Sequence, residues 1–109
     1  MMILQKQFTD QELSQIIEEG AIYMCACPAQ VAVQLRSLRE LHRYQNACEV
    51  DPGNDHRVHK AIAEATMRAH ALMEVCMVDI LALEGWDRTT LKMPEGLRRR
   101  RDEVIARDD

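Results

Sequence analysis

The chain has 109 residues, 47% of them hydrophobic and 29% charged, with a formal charge of −4. That balance belongs to one folded domain, residues 1–109, and excludes a disordered tail or a collagen-like rod. No apolar run approaches the ~20 residues a membrane-spanning helix needs. Up to Gly96 there are nine basic and fourteen acidic side chains, which leaves no broad basic surface for nucleic acid.

At the N-terminus Met1-Met2-Ile3-Leu4 is followed by Lys6 rather than preceded by a positive charge. That is not the layout of a secretory signal, and it predicts a cytoplasmic chain with its four cysteines reduced. Thr9 and Glu12 have the spacing of a capping box, with Phe8 and Leu13 at the staple positions. They predict a first helix over about 10–24. Gly20 on its apolar face costs about 1 kcal/mol of helix propensity, which predicts a close approach of another helix there.

Cys27-Pro28 opens a second helix over about 28–48, with Cys27 as N-cap and Pro28 in the first turn. Its apolar stripe is Val31, Leu35, Leu38, Leu41 and Cys48, with Gln34, His42 and Gln45 in the same arc. Asp51-Pro52-Gly53-Asn54 is a turn. Asn54 or Asp55 caps a third helix over about 55–84, with Val58, Ile62, Thr66, Ala69, Met73, Cys76, Met77, Ile80 and Leu81 as its core face. Gly85 and Trp86 then take the C′ and C″ places of a Schellman stop, Trp86 packing on Leu81. Pro94 opens a fourth helix over about 94–107, with a stripe of Leu97, Arg101, Val104 and Ile105. Its last part, 97–109, is basic and then acidic. The expected fold is all-α: an antiparallel hairpin flanked by an N-terminal and a short C-terminal helix. One hairpin leaves apolar surface open, so a homodimer or larger helical bundle is expected.

A hairpin turning near 52–53 sets Cys76 level with about residue 29, beside Cys25 and Cys27. Three thiols then converge, with Met24, Met73 and Met77 nearby and His70 further in. Thiolate with thioether suits Cu(I), and thiolate with imidazole suits Zn. Cys27 at a helix start is the thiol most prone to ionise. At the other end Cys48, His56 and His59 gather, and His42 lies within the apolar stripe with Gln45 one turn away to satisfy it. Glu40 and Glu64 fall on outer faces, which disfavours a carboxylate-bridged di-iron centre.

The expected role is that of a small helical accessory or interaction protein rather than an enzyme. Its candidate site is a soft-metal or redox-sensing cluster of Cys25, Cys27 and Cys76. Ligation or oxidation there would tie the junction of the first two helices to the third and change the angle of helix one. Two alternatives compete with it. One is a small DNA-associated regulator or complex subunit using Arg98–Arg101, against which Asp102 and Glu103 count by neutralising part of that charge. The other is a thiol enzyme using Cys27, for which the sequence places no acid–base partner.

Overall fold

The computed structural model describes residues 3–20, 26–49, 53 and 55–107. Every regular element among them is helical: α1 (Asp10–Gly20), α2 (Cys27–Glu49), α3 (His56–Glu84) and α4 (Glu95–Arg107). No helix among them is long and apolar enough to cross a membrane.

The local signals act as chemistry requires. The Glu12 amide donates to Thr9 Oγ1 at 3.0 Å, and the Thr9 amide donates to Glu12 Oε1 at 2.9 Å, closing the capping box in both directions. Phe8 and Leu13 are fully buried together. Asp55 caps α3 by accepting from the Arg57 amide at 3.0 Å. α3 stops at Gly85, whose φ of 78° is left-handed. There the Trp86 amide reaches the Leu81 carbonyl and the Gly85 amide reaches Ala82, the two bonds of a Schellman motif. A Cβ on Gly20 would sit 2.6 Å from the Ala29 Cβ, so glycine is what lets the end of α1 meet the start of α2.

Boundaries move slightly. α1 is described as far as Gly20, and the expected continuation to 24 lies outside the described residues. The Ala29 and Gln30 amides both bond to the Ala26 carbonyl, so Ala26 rather than Cys27 holds the cap position, and Pro28 is the second helical residue. The exchange costs nothing, because that N–H would also lack a helical partner. At α4 the Arg98 amide bonds to the Pro94 carbonyl, so Pro94 precedes the helix as its cap.

α2 and α3 form the antiparallel hairpin, with Gln45 touching His59 near the turn and Arg39 touching His70 further along. α1 lies on one side of it. The core of Phe8, Leu13, Ile16, Ala32, Leu35, Met77 and Leu81 is closed at its far end by Trp86, Leu91 and Met93. The molecule measures 54 × 29 × 18 Å and its radius of gyration is 16.9 Å. A compact chain of this length has about 13 Å, and an 18 Å thickness is two helix layers at 8–10 Å spacing.

The expected apolar stripes are corrected by this layering. On α2 the buried arc is Pro28, Ala32, Leu35, Arg39, His42 and Gln45; Leu38 is half-buried and Leu41 exposed. On α3 it is Ala63, Thr66, His70, Glu74, Met77 and Leu81, whereas Val58 is exposed and Ile62, Ala69 and Cys76 are half-buried. What reads in the sequence as one wide apolar face on α3 is two faces. One meets α1 and α2, and the other lies open.

Candidate functional site

Among the residues singled out for metal or redox chemistry, Met24 and Cys25 lie outside the described residues. Cys27 is exposed at the start of α2 and Cys76 is half-buried on α3. Met77 is fully buried in the core, and Met73 packs against it. His70 is fully buried but faces Arg39, not a thiol. No group of three or more His, Cys, Asp or Glu among the described residues is placed to hold a metal ion. Cys48 is half-buried and hydrogen-bonds to Tyr44, which raises the phenol above its ordinary range.

The hairpin interior instead holds a charged cluster with no counterpart in the sequence reading. Arg39 is 3% exposed and Glu74 2%. Glu74 accepts from the Gln7 amide at 2.9 Å, the Phe8 amide at 3.1 Å and Arg39 Nη2 at 3.2 Å. Arg39 also donates from Nη2 to the Phe8 carbonyl at 2.6 Å, from Nη1 to Asp10 at 2.6 Å and from Nε to His70 Nε2 at 3.0 Å. The pair therefore grips the backbone of residues 7–8 from both its donor and acceptor sides. Such saturation is what makes a buried ion pair tolerable.

The hydrogen bond from Arg39 holds the Asp10 carboxyl below its ordinary range. Burial pushes the His70 imidazole down; Glu74 opposes that and Arg39 reinforces it. Because Arg39 donates to Nε2, the ring proton belongs on Nδ1, which has no hydrogen-bond partner and lies 3.7 Å from Glu74 Oε1. Both cluster residues had a readable signal. Arg39 is in helical phase with Leu35 and His42, and Glu74 with His70 and Met77, so each occupies a core position.

Towards the turn, His59 Nδ1 lies 2.6 Å from Gln45 Oε1. Gln45 thus serves His59 rather than His42, whose Nδ1 lies 3.5 Å from the Asn46 amide nitrogen instead. At the other end Arg101 is half-buried and donates to the Glu19 carbonyl at 2.6 Å and to its carboxylate at 3.1 Å. Arg98 pairs with Glu19 and Arg99 with Glu95, so three of the four consecutive arginines have carboxylate partners within the chain. Arg101 fastens α4 to α1.

The second face of α3 runs the length of the helix. Val58, Ile62, Ala65, Ala69, Leu72, Cys76 and Leu83 recur at alternating steps of four and three, and only Asp79 interrupts them. That is a coiled-coil heptad seam sustained for more than three heptads. Leu72 is 72% and Leu83 85% exposed. Beside the seam Leu38 and Leu41 of α2 wall a shallow apolar groove floored by Ala61, Ala65 and Ala69. α1 covers the opposite side of the hairpin.

No protein-family model matches this chain, and no curated protein or solved structure matches it. The surface and its chemistry therefore carry the functional reading.

Proposed function

We propose that this chain is a helical interaction protein that works by pairing, its partner being a second copy docked along the open α3 seam. The observation that carries this reading is the heptad stripe from Val58 to Leu83, exposed at Val58, Ala65, Leu72 and Leu83 and half-buried at Ile62, Ala69 and Cys76. A large apolar side chain left in water forgoes roughly 1.5–3 kcal/mol of burial, and natural monomers seldom leave such residues contiguous.

The exposed area agrees in size. The chain presents 7145 Å² of surface, whereas a compact monomer of 12.6 kDa presents about 6,200 Å² by the scaling of monomeric proteins. The excess of about 900 Å² is close to the ~800 Å² each partner buries in a standard interface. A two-fold axis near residues 70–71 sets Val58 against Leu83 and Ala65 against Cys76 of the second copy. Small alanines at the centre let two backbones approach, and the two hairpins close into a four-helix bundle.

Sedimentation equilibrium on the chain tests this. The wild type is expected at twice 12.6 kDa, and Leu72→Arg and Ala69→Glu at the monomer mass with unchanged helicity. Under mild oxidation Ala65→Cys is expected to cross-link to Cys76 of the second copy, which a parallel pairing would not allow. A wild type that stays monomeric at high micromolar concentration refutes the reading.

A further inference from the structure

Between the N-terminal segment and α2 lies a cavity of about 400 Å³, walled by Ile3, Leu4, Lys6, His42, Arg43 and Asn46. This is the lower end of the size range of small-molecule pockets. It lies apart from the α3 seam, and its chemistry is of one sign. Arg43 shares its charge with Glu40 on the exposed surface. Lys6 forms no ion pair with a described carboxylate, and its field acts at Asp10 and His70. His42 is 7% exposed. The Asn46 amide nitrogen lies 3.5 Å from His42 Nδ1, and the His42 tautomer that accepts there carries its proton on Nε2. That nitrogen is buried and has no partner. A buried donor without an acceptor is costly, so in that tautomer the site is poised for an acceptor. Ile3 and Leu4 supply an apolar wall.

We infer that this cavity is a binding site for a small organic carboxylate, a monoanion with a short apolar body. Lys6 and Arg43 hold the carboxylate, Ile3 and Leu4 cover the hydrocarbon, and His42 Nε2 donates to an acceptor oxygen as the pocket wall adjusts to the ligand. A single negative charge matches the cations better than a dianion does. Arg39, which also lines the cavity, is already neutralised by Asp10 and Glu74, and Glu40 stands beside Arg43.

The test titrates the full-length protein with hexanoate, with hexanol and with inorganic phosphate, while nitrogen NMR follows the histidine rings. Hexanoate is expected to bind saturably and to move the His42 Nε2 resonance, while hexanol leaves it in place. Lys6→Gln, an exposed change that leaves the fold alone, is expected to weaken hexanoate about tenfold, as the loss of one charge-assisted contact would. A His42 resonance unmoved by hexanoate, equal binding of hexanol, tighter binding of phosphate, or an unchanged affinity in Lys6→Gln would each overturn the assignment.

Discussion

Replacing Glu74 by alanine removes the acceptor of three donors at once: the Gln7 amide, the Phe8 amide and Arg39 Nη2. Arg39 would keep Asp10 as counter-charge, but Asp10 is 64% exposed, so that pair is screened and adds little. Removing one partner of a buried pair costs about 3–5 kcal/mol. Domains of this kind have roughly 5–15 kcal/mol in total, so the loss takes a large share of it. At roughly 4 °C per kcal/mol the melting temperature should fall by about 12–20 °C. Urea and thermal unfolding followed by circular dichroism measure this directly. Hydrogen exchange adds a local readout, since the Gln7 and Phe8 amides should lose protection before the α3 backbone does. The double variant Arg39→Met/Glu74→Leu should recover part of the loss, because no charge is then left stranded. A cost below about 1 kcal/mol in Glu74→Ala, or strict additivity in the double variant, would refute the view that this pair anchors the N-terminal segment.

Stability should also decline on acidification in two stages. His70 is depressed in the fold by burial, so it stays neutral there while the unfolded chain protonates near its ordinary value of about 6.5. Its contribution is complete above that pH and is lost as pH falls towards the lower folded value. Asp10, Glu12, Asp55 and Asp87 are all held below their ordinary range by hydrogen bonds, chiefly from Arg39 to Asp10 and from the Thr9 amide to Glu12. Their contributions are complete above the unfolded carboxylate values near 4 and disappear below them. Urea midpoints across pH 3–8 measure both stages, and His70→Gln should remove the upper one. Gly20→Ala gains helix propensity yet sets a Cβ 2.6 Å from Ala29, so a net loss of about 1–2 kcal/mol is expected; stabilisation would show that α1 and α2 can move apart freely. Arg101→Ala removes the half-buried hold of α4 on Glu19, leaving the more exposed Arg98 pair, and should speed amide exchange along 95–107 without moving the main unfolding transition.

Much of the fold was legible because its signals are local. Thr9 with Glu12, Asp55 before α3, and Gly85 with Trp86 each satisfy backbone groups a few residues away, so chain neighbours contain the whole interaction. Gly20 was legible for a related reason: a costly residue on an apolar face needs a compensating contact. The interior was harder to read. Arg39 and Glu74 are polar, and a polarity pattern assigns them to water. Their burial depends on meeting each other and the backbone of Phe8 across more than thirty residues. His42 and His59 divided Gln45 and Asn46 between them in a way that spacing along one helix does not decide.

The sequence by itself determined four helices, the caps of α1 and α3, the stop of α3 and the antiparallel hairpin, since turn chemistry and periodicity are properties of short stretches of chain. Only the tertiary structure decided which side of each helix is inside. α3 carries apolar residues around more than half its circumference, and α1 can cover only one side of the hairpin. Where α1 docks is fixed by Phe8, by the Arg39–Glu74 clamp and by the close passage at Gly20. That docking separates the buried arc from the open seam, because burial is a relation between elements and no single helix contains it.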